Sequence, residues 1–226
     1  MAQTNAFNVV EATIEDIHTG YKSGKLTCHQ LVQMYLDRIE AFDKKGPNIN
    51  ALITINADAL KEADRLDAAY KASGPIGPLH GIPVIVKDQA DVKGMPTTLG
   101  SLLFKDYFPD RDSFVAEKLR KAGAVILGKA TLGELGGGDT HGSLFGSTRN
   151  PYDIERTVGG SSGGSAASVS ANFSTGMPKP SAVDCRKYPL PAEHCVLSLK
   201  SLTRPSLRMM ILMSWPPTSQ MTSACG

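Results

Sequence analysis

The composition of this 226-residue chain changes abruptly near Ser174. Of its 22 glycines, 20 precede that residue, whereas seven of its 14 prolines follow it. Residues 1–173 contain 18 basic and 20 acidic residues, and residues 174–226 contain six and two. Only the first segment shows the patterns of a packed fold. We therefore predict a folded part over 1–173 and a poorly ordered tail over 174–226.

The charge and the apolar runs exclude several classes of protein. The net charge of +2 is too small to give an overall field that would attract nucleic acid. The longest purely apolar run, residues 209–213, is too short to cross a membrane. The amino terminus lacks the layout of a secretory signal, and the four cysteines show neither disulfide nor zinc-site spacing. We expect a cytoplasmic protein that binds no metal, nucleic acid or membrane.

Short apolar segments alternate with amphipathic ones in the first segment. Thr27 followed three residues later by Gln30 is a capping box, and an amphipathic run with helical spacing follows it. Strand, helix and strand then recur in order, which predicts an α/β fold with a mixed or parallel sheet. Further helices are predicted at about 57–72 and at 114–122, and strands at 51–54, 82–88 and 124–127.

The sequence GGSSGGS, from Gly159 to Ser165, is the strongest local signal for a functional site. Such a loop at the start of a helix exposes backbone N–H groups and hydroxyls together, which suits the binding of an anion or an oxyanion. A flexible linker is the simplest alternative, but a linker would not lead straight into AASVSANF. We predict a binding or catalytic loop here.

Lys87 is the second signal, because it ends the apolar run IPVIV and is followed by Asp88. A lysine at the end of a buried strand loses hydration, which lowers its pKa and allows the neutral amine to act as a base. A strand-end lysine that reaches into water is the commoner arrangement. The strand pattern alone therefore favours the solvent-exposed alternative.

One apparent nucleotide-binding motif is rejected. Residues 123–129, GAVILGK, have the spacing of a phosphate-binding loop. However, the middle of this segment is a hydrophobic strand, and Ala130 stands where magnesium binding requires Ser or Thr. We interpret the match as chance.

A second motif leaves an alternative open. Residues 159–163 fit the GxSxG pattern of a nucleophile elbow, and Asp184 and His194 follow in the order Ser, Asp, His. An elbow needs a hydrophobic strand just before it, and DIERTV is a poor one. A serine hydrolase with Ser161, Asp184 and His194 is therefore kept as an alternative function.

Five spaced segments, taken together, resemble the amidase signature family. They are GIPVIVKD around Lys87, GMPTTLGS, AGAVILGKATLGEL, FGSTRNPYD and GGSSGGSAA, in that family's order over residues 8–173. The resemblance implies an α/β/α layered domain around a mixed sheet. Residues 1–173 would correspond to the N-terminal half of that domain. The domain would be truncated after this half, and an irregular tail would follow. No cofactor is implied.

The resemblance also implies a mechanism, because members of the family hydrolyse amides through a Ser–cisSer–Lys triad. Lys87 would be the neutral general base, and Ser161, which follows a cis peptide bond in family members, would relay the proton. A small-molecule amide would be the substrate. The remaining implied site residues are the supporting loop Ser162, Gly160 and Gly163 and the substrate-side loop Gly136, Gly137 and Asp139.

The chain departs from the family at the nucleophile. The family's nucleophilic serine lies about 24 residues after the first serine of the pair, in a GGSIR-like segment. This chain has Cys185 there, without the glycine pair or the SIR sequence, so we interpret Cys185 as a chance occupant and the nucleophile as unknown. We expect amide hydrolysis to be absent or weak, and the break at Ser174 to reflect a shifted reading frame or a wrongly joined exon. A non-catalytic fragment that pairs with another chain is a further alternative.

Overall fold

The computed structural model describes residues 7–175, and all statements on structure below concern this range. Three predictions lie outside the described residues: the poorly ordered tail, the nucleophile position at Cys185, and the alternative partners Asp184 and His194 of a serine hydrolase.

A mixed three-stranded sheet lies at the centre of the described structure. Its strands are β1 (Leu52–Ile55), β2 (Pro83–Lys87) and β3 (Val125–Ala130), in the order β1-β3-β2. β3 runs parallel to β2 and antiparallel to β1. It is buried at every residue, because strands flank both of its edges and helices cover both faces of the sheet. The predicted mixed sheet is thus confirmed, with strand bounds shifted by a few residues.

Five α-helices accompany the sheet: α1 (Ile14–Lys22), α2 (Cys28–Ile39), α3 (Ala59–Ser73), α4 (Phe114–Lys121) and α5 (Gly163–Ser170). The capping box predicted at the start of α2 is confirmed, because the Thr27 hydroxyl accepts from the Gln30 N–H at 3.1 Å and the Gln30 side chain accepts in return at 3.0 Å. Helix α1 was not predicted from the sequence, although Thr13 and Asp16 form the same kind of capping box.

The helices pack on both faces of the sheet, which confirms the α/β/α layers. Val125 and Leu127 of β3 belong to the larger apolar cluster, with residues of α1, α2, α3 and α5. Ile126 lies between them in sequence but belongs to a second cluster, which includes Ala116 of α4 and Val86. This alternation follows from the period of two in a strand, which points successive side chains to opposite faces.

Two short ribbons lead from the sheet to α5. β4 (His141–Gly142) pairs with β5 (Gly146–Ser147), and β6 (Arg149–Asn150) pairs with β7 (Asp153–Thr157). β7 is exposed along its whole length. The DIERT segment is therefore a strand, but in an exposed ribbon, and it is not the buried strand that a nucleophile elbow requires.

No helix within residues 7–175 combines the length and the apolar character that a membrane span requires.

Candidate active site

The carboxyl end of β2 and the start of α5 bring Lys87 and Ser161 together. The Nζ atom of Lys87 donates a hydrogen bond to Ser161 Oγ at 2.8 Å. Only 8% of Lys87 is exposed, and this burial lowers the pKa of its amine from the ordinary value of 10.5. The Gly160–Ser161 peptide bond is cis, which is the bond that the family resemblance implies. Lys87 is thus held inside the protein rather than reaching into water.

Thr140 ties the loop before Ser161 to the neighbouring ribbon. Its N–H and its hydroxyl both donate to the Gly159 carbonyl, at 3.0 Å and 2.7 Å, and its hydroxyl oxygen accepts from the Gly163 N–H at 2.9 Å. The Ser161 carbonyl accepts from the Gly133 N–H at 2.9 Å. Ser161 is therefore anchored by its backbone, which leaves its hydroxyl available to Lys87. Thr140 was not predicted from the sequence, because no local pattern marks it.

The glycines of this loop are required by close backbone approaches. A Cβ atom at Gly160 would lie 2.8 Å from the Asp139 Cα and closer still to the Gly138 carbonyl oxygen. A Cβ at Gly163 would overlap the Thr140 side chain. Ser162 precedes α5, and its carbonyl accepts from the Ala166 N–H at 3.1 Å. These contacts place Ser162, Gly160 and Gly163 in the tight turn that positions Ser161.

The predicted substrate-side loop lies beside this turn. Gly136, Gly137 and Asp139 are all exposed, and the Gly138–Asp139 backbone contacts Gly160. A Cβ atom at Gly136 or Gly137 would meet no atom within 4 Å, so open space borders this loop. The structure therefore brings the loop next to Ser161, and contact between the loop and a substrate stays a prediction.

A buried ion pair behind Lys87 was not predicted from the sequence. Lys129 and Asp88 are both fully buried, and Lys129 Nζ lies 2.9 Å from Asp88 Oδ1. Lys129 also donates to the Pro96 carbonyl and to the Thr97 hydroxyl, each at 3.0 Å. The other Asp88 oxygen accepts from the N–H and the hydroxyl of Thr98, at 3.0 Å and 2.5 Å. The pair joins the ends of two strands to the 96–98 loop.

The same ion pair explains why residues 123–129 are not a phosphate-binding loop. Residues 125–130 form β3, and the Lys129 amine forms an ion pair with Asp88. In the parallel register between β2 and β3, Lys129 lies opposite Val86, which is the residue before Lys87. The interpretation of the GxxxxGK spacing as chance therefore agrees with the structure.

Known proteins resemble this chain over the region that holds the site. The sequence model of the family described as Amidase matches residues 30–176. A glutamyl-tRNA(Gln) amidotransferase subunit of Alkaliphilus metalliredigens is 42% identical over 167 residues, which are 73% of this chain and 33% of that protein. The subunit of the same name in Acidothermus cellulolyticus is 40% identical over 166 residues, and these cover 32% of its length. The chain thus spans about a third of the length of the curated relatives it matches.

Solved structures show the same relationship. The native peptide amidase of Stenotrophomonas maltophilia superposes with a TM-score of 0.70 at 40% identity, over 73% of this chain and 35% of that one. An amidase family protein of Bacillus anthracis gives a TM-score of 0.69 at 34% identity, over 74% and 34% of the two chains. The family match covers more than half of the sequence, and the solved relatives share the fold. The chain belongs to the amidase family.

Proposed function

We propose that this chain carries the base and the proton relay of an amidase that hydrolyses the C–N bond of a small amide. The observation that carries the proposal is the 2.8 Å hydrogen bond between Lys87 and Ser161. A neutral Lys87 accepts the proton of the Ser161 hydroxyl, and Ser161 in turn accepts the proton of an attacking nucleophile. The returning proton leaves with the amine of the broken amide bond.

The surroundings of Lys87 support this role. Burial favours the neutral amine, which is the form that a general base needs near neutral pH. The backbone contacts of Thr140 and Gly133 hold the Ser161 turn, so that its hydroxyl meets the amine. The proposed substrate class agrees with the names of the relatives, which include a peptide amidase and an amidotransferase subunit.

Among the described residues, none takes the place of the separate nucleophilic serine that the family resemblance implies. By resemblance it is a second serine after a glycine pair, and the sequence lacks that segment. Without the covalent step, little turnover remains in enzymes of this kind. We therefore propose that residues 1–173 supply the base and the proton relay of the site and that this protein is inactive or weak as an amidase.

The first prediction concerns the titration of Lys87. Its pKa is expected below the ordinary value of 10.5, because burial disfavours the charged amine. The measurement is the pH dependence of the side-chain NMR signals in protein labelled with ¹³C-lysine, with the Lys87 signal assigned by its absence in Lys87→Arg. In Ser161→Ala the pKa is expected to stay low, since burial is the cause. A Lys87 pKa at or above 10.5 would contradict the proposed role as a base.

The second prediction concerns amide hydrolysis by the purified chain. Ammonia release from a panel of small primary amides is expected to be no faster than with Lys87→Ala, because the chain lacks the separate serine that by resemblance attacks the amide. Turnover that disappears in Lys87→Ala would show that the chain is an active amidase. That result would overturn the inactive state while supporting Lys87 as the base.

A further inference from the structure

We propose that Ser161 is itself a nucleophile, activated by Lys87, and that it takes up the acyl group of an activated ester. This inference rests on the Lys87–Ser161 pair of the proposed function, but it gives Ser161 a different role. A serine hydroxyl and a neutral lysine amine in hydrogen-bond contact are the nucleophile and the base of an acyl transfer, and Ser–Lys pairs serve in these two roles in other enzymes. The 2.8 Å separation of Ser161 Oγ from Lys87 Nζ meets this geometric requirement.

The distribution of carboxylates around the two strand-end lysines favours a neutral Lys87. The Asp88 carboxylate, which follows Lys87 directly, pairs with Lys129 on the other side of the strand. Among the ion pairs of residues 7–175, none includes Lys87, so no carboxylate within 4.0 Å stabilises its charge. Lys129 therefore has a buried carboxylate that offsets the effect of burial on its amine, whereas burial acts on the Lys87 amine without such a partner.

Access to the Ser161 hydroxyl is compatible with an acyl donor. Ser161 is partly exposed, and the adjacent loop, residues 135–139, is exposed throughout. The loop carries three successive glycines, and a Cβ atom at any of the three would meet no atom within 4 Å. The side of Ser161 that faces this loop therefore carries no side chain at the three glycines, and an aryl ester is expected to approach from there.

The chemical step balances within this pair of residues. The Ser161 O–H bond breaks and its proton passes to the neutral Lys87 amine, while the oxygen forms a bond to the ester carbonyl carbon. The bond between that carbon and the aryloxide oxygen then breaks, and the aryloxide leaves with the electron pair. It needs no proton in order to leave, whereas an amine must be protonated first. The class of acyl donor is for this reason an activated ester rather than an amide.

The test uses the 226-residue chain and p-nitrophenyl acetate. The expected result is an acetyl group on Ser161, found by mass spectrometry of the digested protein. Its rate of formation should rise with pH as Lys87 loses its proton, and level off above the Lys87 pKa. Lys87→Arg places a permanently protonated guanidinium at this position, which cannot accept the proton, and is expected to slow acetylation by about 100-fold or more. Ser161→Ala is expected to abolish it.

The exposed residues Ser73 and Lys71 provide matched controls. In the variants Ser73→Ala and Lys71→Arg, Ser161 should become acetylated at the same rate as in the parent chain. Three results would overturn the inference: no acetyl group on Ser161, an acetyl group on Ser161 that forms as fast in Lys87→Arg, or labelling that depends on His194 instead of Lys87. The pH profile of the parent chain needs no variant, so a misfolded Lys87→Arg does not remove the test. If Lys87 titrates below 10.5 but Ser161 stays unlabelled, this inference fails and the proposed function stands.

Discussion

Lys129→Met is expected to lower the free energy of unfolding by about 3–5 kcal/mol, because it leaves the Asp88 carboxylate buried without its counter-ion. Both members of the pair are fully buried, so water cannot replace the lost amine. Methionine has nearly the length of lysine, and the substitution therefore tests the charge more than the packing. The measurement is urea denaturation followed by circular dichroism.

Lys121→Met is the matched control for this experiment. Lys121 forms an ion pair with Glu117 on the surface of α4, where both side chains are largely exposed. Water and salt screen such a pair, so the control is expected to unfold at nearly the parent urea concentration. The double variant Asp88→Asn/Lys129→Met is expected to recover part of the loss, since it removes the orphaned charge. Equal midpoints for Lys129→Met and Lys121→Met would show that the buried pair contributes nothing to stability.

The buried pair also shows why Lys87 and Ser161 could be predicted from the sequence whereas the ion pair beside them could not. Lys87 and Ser161 each lie in a short, distinctive segment, so their types and positions could be predicted. Asp88 and Lys129 lie in equally short segments, but their partnership depends on the register between β2 and β3, which aligns Val86 with Lys129. Because β3 is buried on both faces, it has no polar-apolar alternation that would fix its register against β2 from sequence.

The burial of Lys87 could not be predicted from the strand pattern either. A lysine at the end of a strand ordinarily reaches water, and the apolar run before it does not show what will cover it. The cover includes the turn before α5, which lies 74 residues away in the chain. The fold class was easier to predict, because capping residues and apolar periodicity are local properties. The short ribbons β4 to β7 were missed because their strands of two to five residues are too short to show a period.

Gly164→Ala is expected to destabilise the protein by about 3 kcal/mol, the upper part of the range for overpacking. In an ordinary helix the same substitution stabilises, since alanine has the better helix propensity. Here a Cβ atom would lie 2.6 Å from the backbone nitrogen of Thr131, and closer still to its carbonyl oxygen and hydroxyl. The backbone after β3 cannot give way easily, because the Thr131 N–H and hydroxyl both donate to the Ala51 carbonyl, at 2.9 Å and 3.1 Å.

Gly137→Ala is the matched control, because the added Cβ would meet no atom within 4 Å and the residue has a φ of −115°, which alanine adopts readily. The comparison separates the general effect on stability of replacing a glycine from the effect of the close approach between α5 and the end of β3. This approach places the start of α5, and with it Ser161, against the strand ends that carry Lys87. Gly164→Ala is therefore also expected to move the NMR signal of the Lys87 side chain, whereas Gly137→Ala should leave it in place. If Gly164→Ala unfolds at or above the parent urea concentration, the contact with Thr131 does not hold α5 against the sheet.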